Sequence, residues 1–211
     1  MADRIRDAER SKEAILVAAE DRFASLGFGG TSLQQIGEAA GVARSTPAYF
    51  FGSKEALYGA VLARAVARGQ EAMALAYTKG DNHRSVEATV QSYVDALLDF
   101  LGHDRNFVRL IQREALEDGS RVAEFFGHSV AEAVAALAPA AEKAGISPQR
   151  LVLDLAALAW YPFAHEHTLL PALGINARDP AFVDEQKRHL GDLVRAMTRP
   201  QRKQPSRRQR S

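Results

Sequence analysis

Arg44, Ser45 and Thr46 stand together directly after Gly41-Val42-Ala43, and Tyr49 and Lys54 follow one and two helical turns further on. A guanidinium at the start of a helix can pair bidentately with guanine O6 and N7, and neighbouring hydroxyls can bond bases or phosphates. The phenol of Tyr49 and the ammonium of Lys54 suit phosphates, contacts that fix register without reading sequence. The ring of Pro47 can meet a thymine methyl. Thirteen residues before Arg44, Thr31, Ser32 and Gln34 open another helix, whose first backbone donors and positive dipole end offer a place for a further phosphate. Each residue alone is an ordinary surface or packing residue, so the reading rests on their order and spacing.

A second constellation, His165-Glu166-His167 with His128, Glu124 and Asp154 elsewhere, is the best starting point for an enzyme. Residues two apart on a helix point to nearly opposite faces, unlike the four-residue spacing of a His-Glu-x-x-His metal site. A serine nucleophile elbow, a phosphate loop and a dinucleotide fingerprint are missing from the sequence. The chain has no cysteine, which excludes disulfides, thiolate zinc sites and a cysteine nucleophile. No catalysis, metal or cofactor is expected. A helical module that binds only a small molecule or another protein is a further alternative, but it leaves Arg44 to Lys54 without a purpose.

The elements that must position these groups are helices. Apolar residues recur at helical spacing almost throughout, and no alternating strand with hairpin signals is found, so the fold class is all-α. Ile15, Ala19, Phe23 and Leu26 form one stripe ended by Gly27. Thr31 and Gln34 have the form of a capping box before Leu33, Ile36 and Ala40. A short third helix is expected over about Arg44 to Phe51, then Ser53 caps a long fourth with Leu57, Val61, Ala65 and Arg68 in line. Further helices are expected over Ser85 to Leu101 (Val86, Val90, Val94, Leu97, Leu101) and Asn106 to Glu117 (Phe107, Leu110, Ile111, Leu116). Another covers Ser120 to Ala144, kinked or ended near Ala138 by Pro139. Ser147-Pro148 and Asp179-Pro180 announce two more, Leu151 to His167 and Phe182 to Met197. There is no internal repeat and no Gly/Ser-rich linker.

The run Thr31 to Leu57 resembles the DNA-binding domain of TetR-family regulators. Gly27-Phe28, Thr31, Ile36, Ala40-Gly41-Val42, Phe51 and Ser53-Lys54-Glu55-Ala56-Leu57 match that signature in order and spacing, and the close likeness covers about residues 11 to 62. Three positions depart from it: Ala48 stands where a tyrosine is usual, with Tyr49 one place along; Pro47 stands where leucine or another apolar residue is usual; Ala43 replaces a serine or threonine. The resemblance implies a three-helix helix-turn-helix domain over 1–57, its second helix in the major groove of double-stranded operator DNA. It also implies a helical bundle over 58–198 that encloses a small-molecule effector and forms a homodimer. Expected pocket residues are Tyr93, Phe100, Phe107, Phe125 and Phe126, with Trp160, Tyr161, Phe163 and His165 further along. Leu153, Ala157, Leu190, Leu193 and Val194 are expected at the interface, with Ala156 and Ala164 small enough for close helix approach. An isologous two-fold contact would follow.

The N-terminus is charged from Asp3 and leads into no apolar run, and the most apolar stretch, Leu151 to Leu170, is broken by Asp154, His165, Glu166 and His167. A cytoplasmic protein away from membranes is expected. The net charge of +1 conceals an acidic segment over 69–198 and a basic tail, 199–211, with Arg199, Arg202, Lys203, Arg207, Arg208 and Arg210 and no acid. Such a tail cannot bury apolar area, and any basic arm attracts DNA without sequence preference. Truncation after Thr198 is therefore expected to lower non-specific DNA affinity and flatten its salt dependence while leaving selective binding in place, as a salt series with and without competitor DNA would measure.

Overall fold

The computed structural model describes residues 2–78, 85–117 and 119–198, and the basic tail lies outside them. The described residues form ten helices and no strand: α1 (Ala2–Leu26), α2 (Leu33–Ala39), α3 (Thr46–Phe51), α4 (Lys54–Thr78), α5 (Val86–His103), α6 (Arg105–Leu116), α7 (Ser120–Ala144), α8 (Pro148–Ala164), α9 (Leu169–Ala172) and α10 (Pro180–Thr198). The first three and the start of α4 make a small head. In the rest α5 is the central helix, packed by α4, α7, α8 and α10, while α6 lies against α1. Among the described residues no helix is long and apolar enough to cross a membrane.

The head closes on Ile15, Ala19, Phe23, Ile36, Leu57 and Val61, all fully buried. Leu26, expected in the same stripe, is half exposed, because α1 ends beside it: Gly27 adopts φ 75° and its N–H bonds the Phe23 carbonyl at 2.9 Å. A side chain rarely tolerates that conformation. The capping box falls one residue later than expected, on Ser32 and Gln35, with Gln35 N–H bonding the serine oxygen at 3.2 Å and the Gln35 side chain accepting from Ser32 N–H at 2.9 Å. Thr31 is instead buried, its hydroxyl donating to the Gly27 carbonyl at 2.9 Å. It ties the loop to the end of α1, and the next residue is left to cap.

Helix α3 starts at Thr46 rather than Arg44, and Pro47 in its first turn is buried. Gly37 makes this contact possible: a Cβ there would lie 3.2 Å from the Ala43 carbonyl oxygen and the Arg44 Cα, and 3.4 Å from the Pro47 ring. Glycine thus sets how closely α2 and α3 cross.

In the bundle, Ser85, Asp104, Ser147 and Asp179 each accept a backbone N–H at a helix start, at 2.9 to 3.2 Å. Three expectations are corrected, the first in part, since Pro139 does not end its helix. Helix α7 runs unbroken through Pro139 to the left-handed Gly145. Pro139 and Ala135, whose carbonyl loses its partner, both lie on the solvent side, where water satisfies it, while Leu137, Ala140 and Ala141 on the opposite side are buried. Helix α8 stops at Ala164, after Pro162 in its last turn, and the short α9 follows. Leu116, expected on the apolar face of α6, is 87% exposed at the helix end.

At the junction of head and bundle, Glu114 of α6 is completely buried and accepts the Tyr58 hydroxyl at 3.0 Å, with Arg121 at 3.4 Å on its other oxygen. Burial, and then the Glu114 carboxylate, hold the Tyr58 phenol well above its ordinary range. Its ring packs edge-on against Phe23 with centroids 4.9 Å apart, and tilted against Phe28. Tyr58→Phe keeps the packing but removes a donor from a buried carboxylate, so it is expected to cost roughly 1–3 kcal/mol, read as a lower urea midpoint with an unchanged slope.

Candidate functional site

Three exposed residues among the expected contacts of the head gather around one hollow. Ser32, Gln34 and Arg44 border an open concavity with Gly29, Gly30 and Glu38. Arg44 reaches across it to Glu38, with Nη2 to Oε1 at 2.6 Å, although both side chains remain more than half exposed. Ser45 is exposed and offers no cap to α3, so its hydroxyl is not committed to the helix start. Tyr49 is 83% exposed, with its ring edge-on to Phe50, and it is the aromatic of this segment that faces outward. Lys54 is half-buried, its ammonium 4.2 Å above the Phe28 ring. Thr46 is half-buried in the first turn of α3. Thr31 and Pro47 are turned into the head and are not surface groups, which corrects their expected contacts: the one bonds the end of α1, the other fills the space over Gly37.

A cavity of about 770 Å³ opens in the bundle, between α4, α5, α6, α7 and α8. Of the nine residues expected to line it, Tyr93, Phe100, Phe107, Phe126 and Trp160 do. Phe107 is their hub, edge-on to Phe100 at 4.8 Å, Trp160 at 6.0 Å and Phe126 at 6.5 Å between ring centroids. The other four lie elsewhere. Phe125 packs on the core, and Phe163 is buried on the far side of α8, where the Arg178 guanidinium lies 5.9 Å from its ring. Tyr161 is half exposed and stacks at 4.2 Å on His165, which bonds Thr168. One helix face cannot serve cavity and core together, and consecutive aromatics divide between them.

The wall also holds residues that aromatic density does not single out: Gln70, Ser129, Glu132 and Ile111. Gln70 is the most telling, because its amide nitrogen donates to the Ser129 hydroxyl at 2.7 Å and to the Phe125 carbonyl at 3.3 Å. An amide on the inner side of α4, beside Val66 and Gly69, was the available sign. Leu153, Ala156 and Ala157 line this cavity too, and Leu190 and Val194 are buried within the chain. Of the expected interface residues Leu153, Ala156, Ala157 and Leu193 are exposed, while Ala164 is half-buried.

The His165-Glu166-His167 region is held by ion pairs. Glu166 accepts Arg178 Nε at 2.6 Å and Arg105 Nε at 2.9 Å. Burial alone raises its pKa, but the hydrogen bonds from Arg105 and Arg178 outweigh that and hold the carboxyl below its ordinary value. A carboxylate so held is a poor proton acceptor.

Residues 15–61 match the sequence profile of the bacterial regulatory proteins, tetR family, and residues 87–194 match that of the tetracyclin repressor-like C-terminal domain. This chain belongs to the TetR family. It is a DNA-binding transcriptional regulator and not an enzyme. Over 59 residues it is 54% identical to the HTH-type transcriptional regulator RutR of Escherichia coli strain K12, a stretch that spans only 28% of either chain. The HTH-type transcriptional repressor NicS of Pseudomonas putida is 28% identical over 202 residues, covering 90% of this regulator and 93% of NicS. Among solved structures, a regulatory protein of the tetR family from Rhodococcus RHA1 superposes with a TM-score of 0.69 at 16% identity, covering 89% of this chain and 96% of its own. The fatty acid degradation regulator FadR of Bacillus halodurans superposes with a TM-score of 0.63 at 18% identity, over 84% of this chain and 93% of FadR. Likeness at that identity concerns the fold.

Because the folded-state pKa of Glu166 is depressed, the stability it contributes is present above the ordinary carboxylate value of 4.5 and is lost as pH falls through the lowered value. Glu166→Gln is therefore expected to destabilise this TetR-family regulator at neutral pH. The gap to wild type should close as urea midpoints are followed into the acid range below that value.

Proposed function

We propose that this regulator is a ligand-responsive repressor that binds a palindromic operator as a homodimer and leaves it when a small molecule occupies the bundle cavity. The observation that carries the reading is the double attachment of α6. Phe107 and Ile111 on its inner face line the cavity. One turn on, Arg113 donates to the Ala24 carbonyl at 3.1 Å and the Ser25 carbonyl at 2.7 Å, at the end of α1, and Glu114 takes the Tyr58 hydroxyl on α4. A ligand that displaces Phe107 moves the helix that holds both ends of the head. Occupancy then favours a head spacing that two operator half-sites do not accept, which is population shift by differential affinity.

The head comprises residues 1–57, and 58–198 form the ligand and dimer domain. Ser32, Gln34, Arg44, Ser45, Thr46, Tyr49 and Lys54 are its DNA contacts, with Arg44 as the base reader. An exposed ion pair such as Glu38–Arg44 is worth less than about 1 kcal/mol, so a guanine offering two acceptors at bidentate geometry displaces Glu38. Leu158 and Tyr161 on α8 and Leu193 and Met197 on α10 are exposed apolar residues near the C-terminal end of the chain, which supports a two-fold helical interface there. The name of NicS supports repression, and a DNA target is in keeping with a cytoplasmic location.

Selection from random duplexes is expected to enrich a two-fold symmetric site. Arg44→Ala should weaken binding to it by about 1–3 kcal/mol and relax preference at one base position per half-site. Arg113→Ala is expected to leave operator affinity and cavity binding within a few-fold of wild type while uncoupling them, so that a cavity ligand no longer releases DNA in an anisotropy assay. Release that persists unchanged in Arg113→Ala would remove α6 as the connecting element.

A further inference from the structure

The cavity wall offers hydrogen bonds of both kinds and no charge for a ligand to meet. Among the described residues that line it there is no lysine, arginine or histidine. Glu132, the acid of that wall, stands at an exposed position of α7 and is already engaged, so it is no counter-ion for a cation. An ion moved into this space sheds its water without gaining an opposite charge, which costs far more than moving a neutral polar group that finds partners. The rim does not help: its exposed lining residues beside Glu132 include Val130, Leu153 and Ala157, none of which can hold a charged head. A neutral polar group is matched. Gln70 spends its amide hydrogens on the Ser129 hydroxyl at 2.7 Å and the Phe125 carbonyl at 3.3 Å, and its oxygen accepts from no group among the described residues. The Ser129 hydroxyl keeps a proton to give, and the indole N–H of Trp160 is a donor only. The remaining wall is aliphatic and aromatic, and about 770 Å³ suits a compound of drug size.

From this we propose that the effector is uncharged: a mostly apolar ring compound bearing one group that both donates and accepts, a hydroxyl or a carboxamide. Its rings lie against Phe107 and Trp160 and its polar group beside Gln70 and Ser129. The assignment rests on the reading of the cavity as the effector site. It sets carboxylates and amines that are ionised at neutral pH outside the ligand class.

Four probes with one ring system test this on the full-length protein at neutral pH by calorimetric titration: naphthalen-2-ylmethanol, 2-methylnaphthalene, 2-naphthoate and naphthalen-2-ylmethylammonium. The alcohol is expected to bind about tenfold or more tighter than either ion, and a few-fold tighter than the hydrocarbon. Gln70→Leu should bring the alcohol down to the hydrocarbon. Gln70→Lys keeps a donor toward Ser129 and the Phe125 carbonyl and supplies the missing cation, so it should lift the naphthoate above the alcohol. Ala157→Phe, which places a ring in the cavity, should abolish binding of all four. An ion that matches the alcohol, an alcohol no better than the hydrocarbon, or an order that Gln70→Lys leaves untouched overturns the ligand class while the cavity remains an effector site. If no probe binds, or if binding survives Ala157→Phe, the cavity reading falls with it.

Discussion

Arg68, half-buried on α4, donates to both Glu20 oxygens on α1 at 2.6 and 3.0 Å and to Asp104 at 2.9 Å. Asp104 is also the cap of α6, accepting the Phe107 N–H at 2.9 Å. One guanidinium therefore fixes the start of α6 against the head, just as Arg113 and Glu114 fix its end. Between these two anchors α6 has its cavity-lining face, so one helix joins the cavity to the head. Planar, always charged arginine suits both ends, because its forked donors satisfy two acceptors at once and hold orientation as well as distance. A purely apolar junction would permit sliding; hydrogen bonds to buried acceptors permit a small number of discrete arrangements.

The cavity exists because the packing around α5 is left incomplete. Gly69 is where α4 comes nearest the aromatic cluster, and a Cβ there would meet the Phe100 ring at 3.1 Å. Ala74, Ala133, Ala156 and Ala157 line the same space with side chains too small to fill it. Protein interiors otherwise pack like organic crystals, and an unfilled volume forfeits dispersion contacts. The buried residues of α5, α7 and α8 supply the compensating core on their other faces: Leu98, Leu137, Leu151 and Leu155 are essentially inaccessible.

Helix positions were legible in the sequence wherever chemistry punctuates the chain. Ser-Pro and Asp-Pro starts, the serine before α4 and the glycine after α1 act through backbone geometry that depends on a few neighbours, and these boundaries fall where those residues place them. Errors arise where tertiary context chooses. Thr31 and Ser32 are equivalent caps in isolation, and only the carbonyl of Gly27 decides that Thr31 turns inward. Pro139 breaks an isolated helix, yet a carbonyl on the wet side of α7 tolerates its ring. Aromatic density found five wall residues but could not separate Phe126 from Phe125, or Trp160 from Tyr161, because which side of a helix faces a void is set by elements far away in sequence. Arg113, whose partners lie 88 and 89 residues away, carried no local mark.

The pairing of Arg44 with Glu38 bears on how the molecule finds its site. Genomic DNA offers an immense excess of decoys, and residence on them grows with every phosphate that a free cation neutralises. If Arg44 reads bases as proposed, holding its guanidinium on an internal carboxylate lowers that indiscriminate attraction, since the head then presents a dipole rather than a bare charge. On the proposed reading, a base edge with two acceptors replaces the one carboxylate oxygen that the arginine meets in the free head. On that reading the pair trades a small loss in final affinity for shorter stops on non-specific DNA.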